Sequence, residues 1–81
     1  MRKYKFYAIF DYAKDGISIS FPDLPGCISC GYSTEEAIQM AKEALQLYLE
    51  DMNQKDIPLP SNKDNIGNDI KPNQKIYCIE I

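Results

Sequence analysis

The chain has 81 residues and a formal net charge of −3, with 9 Lys and Arg against 12 Asp and Glu and no histidine. That length holds one domain, 1–81, and no apolar run in it approaches the ~20 residues of a membrane span. The acidic balance argues against direct binding of nucleic acid, which needs a clustered basic face, and the missing histidine removes the usual general base and the Ser-His and Cys-His pairs, so no enzyme is expected.

Residues 3–13 alternate with the period of a strand. Tyr4, Phe6, Ala8, Phe10 and Tyr12 line one face; Lys5, Tyr7, Ile9 and Asp11 line the other. Lys14-Asp15-Gly16 supplies turn chemistry, with Gly16 free to take positive φ, and residues 17–21 alternate again. Together these segments predict a β-hairpin. Pro22, Pro25 and Gly26 then exclude a central strand, and residues 27–32 read as a short third strand at an edge.

Ser33-Thr34-Glu35-Glu36 fits a capping box, Ser33 as N-cap and Glu36 reaching back to it. Apolar positions at Ala37, Ile38, Ala41, Ala44, Leu45, Tyr48, Leu49 and Met52 form one buried helical stripe. The helix should stop near Asn53, because Pro58 and Pro60 forbid its continuation. Residues 62–74 are polar and read as a loop. Within it, residues 64–69 look faintly like a calcium loop, but the glycine comes early and the closing glutamate is missing. Residues 76–81 form a fourth strand.

The order β-β-β-α-β predicts an α+β fold: a four-stranded mixed sheet in the order 3-2-1-4, with one helix on one face. A right-handed crossover should return the last strand parallel. One helix covers only one face, yet the first and last strands are apolar on both. A small core gains from a partner subunit, so the uncovered surface predicts a homodimer or higher homo-oligomer. The interface candidates are Tyr7, Ile9, Ile76, Tyr77 and Ile79, and the edge strands offer a second route.

The three cysteines, Cys27, Cys30 and Cys78, are an odd number with no secretory signal before them, so a cytoplasmic protein with reduced thiols is expected. Cys27 and Cys30 make a CxxC, but only Cys78 remains to join them, short of the four ligands zinc usually takes. On a strand, positions three apart point to opposite faces. No metal and no cofactor is expected. The remaining constellation is Asp11, Glu43 and Glu80. The element order resembles the front half of the ribonuclease H fold, whose nucleases hold two metal ions with carboxylates, so a metal-dependent nuclease is one alternative if these acids converge.

A longer string of residues points to a family. Phe21-Pro-Asp-Leu-Pro-Gly-Cys27, then Gly31, Ser-Thr-Glu-Glu-Ala37, Ala41-Lys-Glu-Ala-Leu45 and Tyr48-Leu49-Glu50 resemble the HicB antitoxin family over its N-terminal domain. The resemblance implies a partial ribonuclease H-like fold without nuclease activity. It also implies a partner, a HicA-like toxin, which is a small basic protein that cleaves mRNA with a histidine and is neutralised by occlusion of that site. The toxin-binding candidates are then Asp11, Asp23, Leu24, Glu35, Glu36 and Glu43. Many members carry a C-terminal DNA-binding domain, which is not expected here because the chain ends on its fourth strand. Gln39-Met40 stand where an asparagine often precedes the position of Ala41. The remaining alternative is an orphan oligomeric, protein-binding regulatory domain of this fold.

Overall fold

The computed structural model describes residues 4–59 and 70–81. Its elements run β1 (Lys5–Ala13), β2 (Gly16–Ser20), β3 (Ile28–Gly31), α1 (Thr34–Glu50) and β4 (Gln74–Glu80), with a 3-10 turn at Gln54–Asp56 following α1. β1 and β2 form the expected hairpin: Ala13 faces Gly16 across Lys14-Asp15, and Gly16 takes a φ of 144°, open to glycine alone without strain. β3 pairs antiparallel with β2, Ile17 facing Gly31. The calcium-like segment 64–69 lies outside the described residues.

The strand order is β3-β2-β1-β4, as expected, but the direction of β4 is not. β4 runs antiparallel to β1, so the sheet is antiparallel throughout and not mixed. Lys5 faces Glu80 and Asp11 faces Gln74, so β4 enters beside the end of β1. The crossover rule describes a chain that re-enters the sheet from where its helix finishes. Here α1 starts beside Tyr12, whose hydroxyl lies 2.8 Å from Thr34 Oγ1, and finishes near Tyr4 and Ile81. Residues 51–73 outnumber those of the helix and, at roughly 3.3 Å per extended residue against ~1.5 Å in a helix, suffice to retrace its length. The ladder is closed at both ends: Tyr4 and Ile81 exchange backbone bonds of 3.2 and 3.0 Å, and Tyr12 N donates to Asn73 O at 2.9 Å.

The core lies between the sheet and α1. Phe6, Ala8, Phe10, Ile17, Ile19 and Ile79 from the sheet meet Ala37, Ala41, Leu45 and Leu49 of the helix. α1 comes closest at β3, where a Cβ on Gly31 would stand 2.7 Å from Ala37 Cα. Ser33 caps the helix, its Oγ accepting from Glu36 N at 3.1 Å. The Glu36 carboxylate reaches one residue past the expected partner, accepting from Tyr32 N at 3.1 Å and so tying the end of β3 to the first turn.

The Pro22–Gly26 segment is compact. Phe21 N donates to Cys27 O, Leu24 N to Phe21 O and Cys27 N to Leu24 O, at 3.2, 3.0 and 3.0 Å. The Tyr48 hydroxyl reaches over from the helix to donate to Pro25 O at 2.8 Å. These bonds turn Phe21, Leu24 and Cys27 inward, where all three are buried. Leu24, a toxin-contact candidate in the sequence, is 1% exposed and serves the core; a partner docking on the folded chain does not reach its side chain.

Candidate functional site: an acid-rimmed groove beside an open sheet face

Among the described residues, nothing covers one face of the sheet. Ile9 stands opposite Ile76 and Tyr7 opposite Cys78, which places these four side chains in one cluster on that face. Two interface candidates fall elsewhere. Ile79 pairs with Phe6 on the helix side and is 1% exposed. Tyr77 pairs with Ala8 on the same side, its ring 4.5 Å from that of Phe10. The register decides this, since residues directly opposite share a face and β1 buries its even-numbered side chains. Cys78, which was not among the candidates, stands on the open face instead, as the alternation that set it beside Ile76 already implied.

On the helix side, a groove of about 660 Å³ opens between the second half of α1 and the end of β4. Tyr4, Leu49, Met52, Ile57 and Ile81 supply its apolar walls. Among the described residues, Glu43 and Glu50 of the helix line it as well, with Lys42 as the one cation, while Glu80 borders it from β4 with its side chain on the open face of the sheet. Lys5 Nζ lies 3.5 Å from Glu80, but both side chains are largely exposed, so this pair is screened and weak. Gln39, Glu43, Gln46 and Glu50 recur at spacings of four, three and four, the period of one helical stripe. Met40 and Leu47 bracket Glu43 on the neighbouring stripe, and Leu47 is 65% exposed. An exposed leucine between carboxylates is a surface suited to a protein with apolar and basic groups. Glu50 and Leu47 were not among the candidates, yet the spacing of the stripe was a signal that could have found them.

The other acids are scattered. Asp11 lies on the open face, where its carboxylate accepts from Asn73 Nδ2 at 2.8 Å and Gln74 Nε2 at 2.9 Å. Asp23 is half-buried in the Pro22–Gly26 loop, Glu35 is exposed in the first turn of α1, and Glu36 is held by the cap. Asp11 and Glu80 stand at opposite ends of the β1–β4 ladder, six residues or roughly 20 Å apart. They therefore do not converge with Glu43 on one metal pair, and among the described residues no group of three or more acids, cysteines or histidines is arranged to hold a metal.

Where α1 begins, three hydroxyls meet. Tyr12 Oη lies 2.8 Å from Thr34 Oγ1 and 3.2 Å from Tyr77 Oη, with Lys75 Nζ 5.6 Å from the centre of the Tyr12 ring. Burial pushes the Tyr12 phenol up, but the hydrogen bonds to Thr34 and Tyr77 and the Lys75 charge outweigh it and leave the group below its ordinary value. Tyr77 goes the other way, raised first by its hydrogen bond to Tyr12 and then by burial. If either ionises, Tyr12 does so first, with Tyr77 donating to it. The cluster joins the helix start to β1 and β4.

Burial raises the Cys27 thiol, whereas Cys30 and Cys78 are exposed. Cys27 and Cys30 thus face opposite ways, as the strand period requires. A group that folding keeps protonated contributes its full stability below the ordinary thiol range, about pH 8.5, and loses it as the pH climbs toward the folded value. Maleimide added to the native chain below that pH should modify Cys30 and Cys78 and spare Cys27, read as two adducts by mass spectrometry and three in denaturant. Three adducts formed at one rate under native conditions would contradict the burial of Cys27.

The fold is that of a small antiparallel α+β domain with a groove between α1 and the end of β4. The family model of the HicB-like antitoxin of bacterial toxin–antitoxin systems matches residues 7–79, and the chain belongs to that family. Antitoxin HicB 2 of Photorhabdus laumondii is 38% identical over 58 residues, 67% of this chain and 40% of its own length. An uncharacterised 14.9 kDa protein of Haemophilus phage HP1 is 44% identical over 48 residues, 59% of this chain and 36% of its own. A UPF0150 protein of Helicobacter pylori is 36% identical over 59 residues, covering 73% of this chain and 82% of its own. The chain therefore spans well under half of two of these relatives. Two solved structures share the fold, each with a TM-score of 0.74: a HicA3–HicB3 toxin–antitoxin complex at 20% identity, covering 94% of this chain and 95% of that one, and a toxin–antitoxin complex from Streptococcus pneumoniae at 19%, covering 98% and 69%. Membership of an antitoxin family suggests a regulatory role and not a catalytic one. Among the described residues no helix is long and apolar enough to cross a membrane.

Proposed function

We propose that this chain is the antitoxin of a HicA/HicB-type pair and neutralises a small basic RNA-cleaving toxin by docking it on the groove side of α1, so that the toxin's active site is covered. The observation that supports this best is the exposed Leu47, set between Glu43 and Glu50 beside an apolar groove. A leucine so placed gives a partner apolar area to bury, while the carboxylates steer a basic protein and set its orientation. The chain's own net charge of −3 acts in the same direction at longer range. The likeness to ribonuclease H is one of element order, and with Asp11 roughly 20 Å along the ladder from Glu80 the three candidate carboxylates do not share one site.

The test uses a small basic HicA-like toxin, with affinity measured by calorimetry and RNA cleavage assayed in parallel. The double variant Glu43→Lys, Glu50→Lys should weaken the complex by at least about tenfold, chiefly through faster dissociation and slower encounter, and should restore cleavage. Wild-type affinity should fall as salt rises through the range where the screening length shortens from about 10 Å toward 3 Å. Unchanged affinity in the double variant would move the docking surface away from α1. Absence of any complex with wild type would favour the orphan regulatory domain.

A further inference from the structure

The two edges of the sheet are unlike. β3 has four residues and follows a loop holding Pro22, Pro25 and Gly26, which is how a sheet edge is ordinarily protected from other chains. β4 has seven residues, Gln74–Glu80, with no proline, glycine or bulge in it. The bonds exchanged by Tyr4 with Ile81 and given by Tyr12 to Asn73 fix which backbone groups of β4 point at β1: those of the odd-numbered residues. The N–H and C=O groups of Ile76, Cys78 and Glu80 therefore point outward, and none has a backbone partner among the described residues. The side chains of the same residues lie on the open face, where Ile76 and Cys78 continue the apolar cluster of Ile9 and Tyr7.

We infer that β4 is the homodimer strand: two copies of this chain join β4 to β4, antiparallel about a two-fold axis at Tyr77, into one eight-stranded sheet. A second copy fits better than a foreign strand because β4 complements itself. In the one register that pairs all of Gln74–Glu80 with its copy, Ile76 faces the partner's Cys78 and Gln74 faces the partner's Glu80. Each copy's Glu80, the only carboxylate on the strand, then meets the amide of Gln74, which gives one hydrogen to Asp11 at 2.9 Å and keeps the other for the partner's Glu80. A shift of two residues in one direction sets Glu80 against Ile76; in the other it leaves Glu80 opposite Pro72, which has no N–H to give. The apolar clusters of the two open faces become continuous across the axis. The inference does not depend on the antitoxin reading, because it uses only the chain's own register.

Sedimentation equilibrium of the wild-type chain should give twice the 9.3 kDa chain mass, and the Cys78→Lys variant, whose lysine sits on an exposed edge site, should give the monomer with an unchanged circular dichroism spectrum. The register has its own test. Ile76→Cys places a thiol opposite the partner's Cys78, and mild oxidation should convert that variant to a covalent dimer, cleaved by reductant, far faster than it does wild type. A monomeric wild type overturns the proposal. So does a dimer that survives Cys78→Lys and gains no cross-link in Ile76→Cys, since such a dimer would be held through the stacked open faces or another surface.

Discussion

Phe10→Ala is expected to leave the chain largely unfolded at ambient temperature. Phe10 is fully buried at the centre of β1, its ring against Tyr77, and it faces Ile19 on β2 and Lys75 on β4. Truncating a buried phenylalanine costs about 3–5 kcal/mol, from the lost transfer of the ring and the cavity left between sheet and helix. A domain of this size has a total stability of the same order, about 5 kcal/mol or little more. The measurement is urea denaturation followed by circular dichroism, with the variant's midpoint at or near zero denaturant. Ile28→Ala is the control: Ile28 is 71% exposed on the open face of β3, and its loss should change the unfolding free energy by less than about 0.5 kcal/mol. A Phe10→Ala midpoint as close to wild type as that of Ile28→Ala would mean that the helix does not pack over β1 as described.

Gly31→Ala comes second. The new methyl carbon would lie 2.7 Å from Ala37 Cα and 2.8 Å from Ala37 N, both backbone atoms, so no rotamer change relieves the clash. Either β3 or the first turn of α1 has to move, and overpacking of this kind costs typically about 1–3 kcal/mol, more when backbone must shift. The loss of unfolded-state entropy that favours alanine over glycine offsets at most about 1 kcal/mol of it. Gly26→Ala separates the two ways in which a glycine can be required. Gly26 has open space around its Cβ position but a φ of 87°, so that variant is strained in its backbone alone, at about 1–2 kcal/mol. Thermal melts should rank Gly31→Ala below Gly26→Ala, and both below wild type, with each kcal/mol worth roughly 4–8 °C. The reverse order would mean that α1 stands further from β3 than the structure has it.

Much of this was legible from local chemistry. The two-residue period of β1 showed which side chains go inward, and Phe6, Ala8 and Phe10 are buried as that period required. Ser33 and Glu36 marked the start of α1, although the carboxylate found Tyr32 N and not the cap residue itself, a choice settled by how β3 enters the helix. Leu24 was a toxin-contact candidate because it lies in the Phe21–Cys27 string that carries the family resemblance, and the backbone bonds of that string fold its side chain inward. Tyr77 and Ile79 were named beside Ile76 as interface candidates because both faces of β4 are apolar, and hydropathy alone cannot say which of them the helix covers.

The sequence by itself determined the elements, the acidic charge and the family string, since each rests on residues close along the chain or on composition; the place of β4 beside β1 followed only as the simplest return of the chain to the sheet. The tertiary structure alone decided the direction of β4, and with it the pairing of Ile9 with Ile76 and Tyr7 with Cys78, the position of the groove between α1 and Ile81, and the separation of Asp11 from Glu80. Those are contacts between residues sixty or more apart or between helix and strand. Local periodicity says which face a side chain takes on its own element, whereas packing in three dimensions sets which way that element runs and what it meets.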